Sequence, residues 1–261
     1  MKKTLLWLLP LAAIVVIAPF SSSIDLAIAS FFYDPSPSAH WPLNKNAIVQ
    51  GIYHYGTLPA FATASAGLIF FAASFIWERW KRWRATALIL PLSLALGSGL
   101  IANALLKDHW GRPRPRQVIE FGGTAQFSPF HLPLFGEEGS AFHSFCSGHA
   151  TMGFFFLSLC LVGQRMRSKA IFYTGIACTV ILGGGLSFAR IAQGGHFFTD
   201  TLFSMLVMWY TALLIETLLF KPRAPKGPSS LTVLSKNNRM FAGRSPGLLL
   251  YASTLPNNRL P

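Results

Sequence analysis

Charge is scarce in this chain. Only 12% of its 261 residues are Asp, Glu, Lys or Arg, and just nine are acidic, while 52% are hydrophobic. That shortage excludes an ordinary soluble domain and describes a polytopic membrane protein. Cysteine is nearly absent too. Cys146, Cys160 and Cys178 give neither a paired framework nor a zinc spacing, and the last two lie inside apolar runs as packing residues. No internal repeat is visible. No clean small-x-small cleavage site follows the apolar run that begins at Leu5, so that run reads as a retained first helix. The net charge of +13 would suit a nucleic-acid binder. The cations, however, sit in short loops between apolar runs, as topology determinants do, and nucleic acid is set aside as a partner.

What the chain has instead is apolar length. A membrane-crossing helix needs about 20 mostly apolar residues. Six runs qualify or come close: Leu5–Phe20, Leu58–Trp77, Thr86–Leu106, Ala150–Val162, Ala170–Phe188 and Thr201–Phe220. The expected fold is an all-α, six-helix transmembrane bundle over residues 1–220. Pro91 should kink the third span, and Gly183-Gly184-Gly185 should loosen the fifth and allow close helix contact. The stretch 221–261, rich in Pro, Ser, Asn and basic residues, reads as a disordered tail.

Threading the six spans puts sixteen of the 22 Lys and Arg residues on one face, which makes that face and both termini cytoplasmic. Trp77, Trp80 and Trp83 belong to the aromatic belt on that side. Lys45 and five clustered cations, Lys107, Arg112, Arg114, Arg116 and Arg190, occupy the opposite face, against the usual charge bias. They surround three segments at helix ends: Lys107 to Arg116, Cys146-Ser147-Gly148-His149, and Arg190 to Asp200.

Lys107, Arg114 and Arg190 offer a point charge and two planar forks suited to a tetrahedral oxyanion. The backbone N–H groups of Ser147 and Gly148, before a helix, can point at the same anion. His196 and Asp200 share a face if helical, so the carboxylate can hold one imidazole nitrogen and leave the other free as a nucleophile. His149 is available as the general acid. Taken singly, each segment has a bland reading: a snorkelling lysine, a stiff Pro-Arg linker, a helix cap, a packed histidine. Their convergence on one face favours metal-free phosphoryl transfer through a phosphohistidine. His40, His54, His109, His131 and His143 read as loop or interface residues. A His143–His149 metal site lacks a further ligand at familiar spacing. Cys146 is a weaker candidate nucleophile than the histidine pair.

At these residues the chain resembles the type 2 phosphatidic acid phosphatase superfamily, whose pattern is K-x6-R-P, P-S-G-H and S-R-x5-H-x3-D. Lys107 to Arg114-Pro115, Ser147-Gly148-His149, and Arg190 to His196 to Asp200 fit its spacings, over roughly residues 58–220. Cys146 replaces the family proline and Ala189 the serine before Arg190. The resemblance implies that Lys107, Arg114 and Arg190 bind phosphate, with Ser147 and Gly148 adding hydrogen bonds. It implies that His196 attacks phosphorus, that Asp200 orients it, and that His149 protonates the leaving oxygen. It also implies no cofactor or metal, and a phosphorylated membrane lipid as partner with no obligate protein partner. Arg112 and Arg116 are candidate auxiliary contacts for a polyanionic headgroup or a diphosphate. Such a protein would sit in a bacterial inner membrane with its site facing the periplasm.

Bacterial members act on phosphatidylglycerophosphate, undecaprenyl pyrophosphate, phosphatidic acid or the phosphates of lipid A. The long loop with Phe121-Gly122-Gly123, Phe127, Pro129 and Phe130 is similar to the lipid A phosphatase branch. A phosphotransferase would keep the same site and exclude water. A lipid binder or transporter would need the cations but not His149, His196 and Asp200. A vanadate haloperoxidase is disfavoured by the spans.

Overall fold

A computed structural model describes residues 3–36, 40–136 and 141–220, without the side chains of Lys3 and Thr4. The tail expected over 221–261 lies outside the described residues. Among the described residues, five helices are long and apolar enough to cross a membrane: α1 (Leu5–Phe32), α2 (Ala47–Ala73), α3 (Glu78–Lys107), α6 (Lys169–Ala192) and α7 (Phe198–Leu219). The run expected as a fourth span forms two shorter helices instead, α4 (Gly148–Phe154) and α5 (Leu157–Met166). The chain is all-helical among the described residues and carries no strand there.

Several boundaries differ from the apolar runs. The first helix does not stop at Phe20; it runs on to Phe32 through Ser21, Ser22, Ser23 and Asp25, polar residues that end the hydropathy run without ending the helix. The second helix starts eleven residues before the expected Leu58, where the Asn46 side chain accepts the N–H groups of Ile48 and Val49. In α3 regular helical turns break at Leu88, one turn before Pro91, whose missing N–H leaves the Ala87 carbonyl without its usual partner. Beyond Leu92 the helix widens to π-type hydrogen bonding from Ser93 to Lys107.

Small residues let the helices meet. A Cβ on Gly153 of α4 would fall 2.5 Å from the Gly183 Cα of α6, so the first member of the triple glycine carries the close contact. Gly184 and Gly185 face nothing within 4 Å. Buried hydroxyls add cross-links: Ser98 and Thr151 lie 2.8 Å apart between α3 and α4, and the Ser204 hydroxyl donates to the Ser147 carbonyl, tying α7 to α4. The interior is built from Ala60, Ile89, Phe155, Leu186 and Met208, whereas Leu9, Val15, Ile69 and Ile181 lie on the outside, as lipid-facing helices require.

The two ends of the bundle differ. At one end Arg165 pairs with Glu216, and the Arg84 Nε donates to the Ser74 hydroxyl. At the other, α3 ends, α4 begins and α7 begins, and the three motif segments meet there. Helix α7 has 22 residues. At 1.5 Å per residue it spans about 33 Å, enough for a hydrocarbon layer.

Candidate active site

The first segment leaves α3 at Lys107 and turns at Gly111, which takes the left-handed φ of 68°. Beyond it the chain alternates in where it points. Arg114 is half-buried beside the site, with its N–H held by the Gln117 side chain at 2.8 Å. Arg116 is exposed and is tied through its backbone N–H to the Gly194 carbonyl. Arg112 turns the other way. It is 1% exposed and sits beneath the site, so its expected role as an auxiliary substrate contact is corrected: its guanidinium binds Asp200 at 2.5 Å and Asp25 at 2.7 Å and has no face toward a ligand.

In the second segment Ser147 caps α4, its hydroxyl oxygen accepting the Ala150 N–H. Gly148 lies against Asn103 so closely that a Cβ would fall 2.6 Å from the amide oxygen. This is why glycine stands there. The next residue, His149, stacks on Tyr53 of α2 with centroids 4.6 Å apart and an 18° tilt.

The third segment begins with Arg190, 7% exposed, near the end of α6. Its Nη1 donates to the Gln193 amide oxygen at 2.7 Å, its guanidinium lies over the Tyr53 ring at 4.8 Å, and its Nε has no partner among the described residues. Gly194 then turns with φ 62°, under Trp41. His196 follows, two residues before α7, not within it. Its Nδ1 donates to the Ser144 carbonyl at 2.6 Å, which leaves the Nε2 lone pair free. Asp200 Oδ2 lies 3.7 Å from Nδ1, takes the Ser144 hydroxyl at 2.6 Å and caps α7 through the Phe197 N–H at 2.9 Å. The expected His196–Asp200 proximity is present, but the direct bond to the imidazole comes from a carbonyl that sequence reasoning did not identify.

The three segments act on one another electrostatically. Burial, then Arg190, Lys107 and Arg114, push the His149 imidazole down to about 4. His196 is likewise held at about 4, chiefly by burial, with Asp200 opposing and Arg190 and Arg114 adding to the fall. Burial raises the Cys146 thiol to about 12, which removes it as a nucleophile. His143 places its Nδ1 3.1 Å from the Lys107 carbonyl, and among the described residues no three His, Cys, Asp or Glu side chains converge on a metal position.

A cavity of about 560 Å³ opens from Lys107, Gly148 and His149 and runs between α2, α3 and α4 past Phe61, Leu68 and Leu94. The Lys107 ammonium and the His149 imidazole stand at one end and aliphatic walls at the other.

The sequence model of the PAP2 superfamily matches residues 86–223. This chain belongs to that superfamily. Two curated relatives are similar to it beyond the motifs. The lipid A 4'-phosphatase of Francisella tularensis subsp. novicida is 29% identical over 204 residues, covering 77% of this chain and 88% of that protein. The lipid A 4'-phosphatase of Rhizobium leguminosarum is 31% identical over 130 residues, covering 47% and 48% respectively. No solved structure matches. A PAP2 lipid phosphatase in a multi-pass bacterial membrane protein is the reading that family, relatives and apolar helices share.

Asp25, Tyr53, Asn103, Ser144 and Gln193 complete the surroundings of this PAP2 site, and none belongs to the recognised motifs. Asp25 did leave a signal: it is the sole charged residue in the apolar stretch from Leu5 to Phe32, and an ionisable group there is functional by default.

Proposed function

We propose that this protein removes a phosphate monoester from lipid A, through a phosphohistidine on His196, at a site facing the periplasm. The observation that carries the chemistry is the fixed tautomer of His196. With Nδ1 committed to the Ser144 carbonyl, Nε2 is the free base, buried and neutral at pH 7. Nε2 attacks phosphorus, the bond from phosphorus to the lipid oxygen breaks, and His149 gives that oxygen a proton. Water then attacks phosphorus, losing its proton to His149, and the phosphorus–nitrogen bond breaks to release inorganic phosphate and free His196. Lys107, Arg114 and Arg190 take the charge of the transferring group, with Ser147 and Gly148 adding donors, and no step calls on a metal ion. His149 needs a proton that it lacks in the empty site. The bound phosphate supplies the condition for it, because an anion among the three cations cancels the field that depresses this imidazole.

The cavity supports a lipid substrate, since it joins Lys107 and His149 to an aliphatic channel between helices. The names of the relatives support lipid A. The site's orientation rests on the sixteen cations of the opposite face.

The test is phosphate release by purified, detergent-solubilised protein in chelator, from lipid A, undecaprenyl pyrophosphate, phosphatidylglycerophosphate and phosphatidic acid. Release from lipid A that His196→Ala abolishes is expected. Preference for another lipid would overturn the substrate, and label moving to a second lipid without free phosphate would replace hydrolysis by transfer.

A further inference from the structure

The buried pair beneath the site reaches outside the family-matched region. Asp25, on α1, lies sixty-one residues before that region starts at 86 and is 0% exposed. Its Oδ2 takes Arg112 Nη2 at 2.7 Å and the Thr199 hydroxyl at 2.6 Å, while its Oδ1 takes the Thr199 N–H at 2.9 Å. Arg112 has four donors engaged: Nε on the Ser128 carbonyl, Nη1 on both the Thr199 hydroxyl and Asp200, and Nη2 on Asp25. Its guanidinium also lies over the Phe197 ring at 4.6 Å. One cation therefore bridges two carboxylates, and the second carboxylate is the one beside His196.

A single Asp200–Arg112 pair would be neutral, and its field at the imidazole would largely cancel. A second carboxylate changes that sum: with both carboxylates charged, Asp25, Arg112 and Asp200 together carry one net negative charge. His196 becomes cationic as it takes phosphorus, at a buried position where the neighbouring polar groups are fixed by the fold. The groups facing this imidazole are Asp200 from α7, Arg190 from α6, Arg114 from the loop after α3, and the Ser144 carbonyl. Both arginines oppose a cation there in the empty site; the bound phosphate offsets them from above, and the countercharge on the Nδ1 side comes from below. We infer that Asp25 and Arg112 are positioning residues for the phosphoryl transfer, a buried carboxylate–guanidinium bridge through which α1 holds the Asp200 carboxylate in place beneath His196. This rests on the function proposed above. It assigns Arg112 to the reaction without any contact to substrate.

The experiment uses the full chain in detergent and compares Asp25→Asn, Thr199→Val and Arg112→Lys with wild type. It reads kcat, KM and the inhibition constant of inorganic phosphate, and follows folding by size-exclusion profile and apparent melting. Asp25→Asn keeps the shape and removes the charge. Thr199→Val removes only the hydroxyl that bridges Asp25 and Arg112, and serves if the other variants fail to fold. The expected result is a fall in kcat of about 10- to 100-fold for Asp25→Asn, the range seen when the outer partners that orient metal-bound histidines are removed. A smaller fall is expected for Thr199→Val. The phosphate constant should stay within about twofold, since the cations that hold phosphate are untouched. A phosphate constant that rises with the loss of kcat would overturn the inference by making Arg112 a ligand contact. Lower melting with wild-type kcat would overturn it too, leaving a bridge that only holds helices together. No turnover by wild type on any lipid would instead sink the proposed function, and that control is read first.

Discussion

Gly195→Ala tests whether Arg190 holds the phosphate. Gly195 is not in the left-handed region, unlike Gly194, so its backbone accepts alanine. The obstacle is the methyl group. An ideal Cβ there falls 2.3 Å from Arg190 Nη2 and 2.7 Å from Cζ. Ordinary contacts need about 3.5 Å, so the guanidinium must retreat by roughly 1 Å. The turn will not give instead, because the N–H groups of Gly195 and His196 both donate to the Arg190 carbonyl. Nη1 is pinned to Gln193 and one face lies on Tyr53, so the retreat takes the free edge of the fork away from its ligand. Loss of one charge-assisted hydrogen bond costs about 1.5–3 kcal/mol, which is about 10- to 150-fold in affinity. His196 keeps its Ser144 anchor, so kcat should fall less than kcat/KM. The assay is lipid phosphatase kinetics with inorganic phosphate as competitive inhibitor. The control is Gly184→Ala, where a methyl meets nothing. A phosphate inhibition constant within threefold of wild type would refute the placement of Arg190.

Three further outcomes are expected. His196→Ala should lose about four orders of magnitude or more on every substrate, whereas His149→Ala should spare an aryl phosphate whose leaving group departs without a proton; equal losses on aryl and lipid substrates would remove the acid role of His149. Tyr53→Leu should move the alkaline limb of the kcat profile to lower pH, because the ring face that favours an imidazolium has gone, and Tyr53→Phe should not; a profile unchanged in both would leave Tyr53 a packing residue. Acid should destabilise the fold through His196. Its folded value, about 4, lies below the ordinary 6.5, so the native state refuses a proton that the unfolded chain accepts. Stability is then full above pH 6.5 and falls by about 3 kcal/mol as pH drops through 4. The apparent melting temperature of His196→Asn should fall less over that interval than that of wild type, and parallel curves would contradict the assignment.

The candidate site was legible because its parts are local. Lys107 to Arg114, Ser147 to His149 and Arg190 to Asp200 are short patterns at helix ends, and the structure brings their side chains to one end of one bundle. Helix boundaries were less legible. Hydropathy ends the first span at Phe20, but polar Ser21 and Asp25 continue the helix: the Ser21 hydroxyl donates back to the Ala18 carbonyl, and the partners of Asp25, Thr199 and Arg112, lie far along the chain. Arg112 shows the same limit. Arg112, Arg114 and Arg116 look alike in a basic Pro-Arg run, and only the turn at Gly111 and the acids beneath decide which of them faces a ligand. Tyr53 and Ser144 carry no pattern: one contributes a ring face, the other a backbone carbonyl and a hydroxyl bond to Asp200, and neither belongs to a recognisable motif.

The carboxyl on the first helix also has a history within synthesis. Arg112 is made 87 residues after Asp25, and Thr199 a further 87 later. At about 5–20 residues per second, Asp25 waits at least about 4 s for its cation and up to roughly 35 s for Thr199. A lone acid in lipid is costly, so in that interval the end of the helix that carries it must stay wetted or sheltered by the insertion machinery. Helix α1 thereby completes its docking only once α7 has been made, a lag that pulse-chase cross-linking between the two would record.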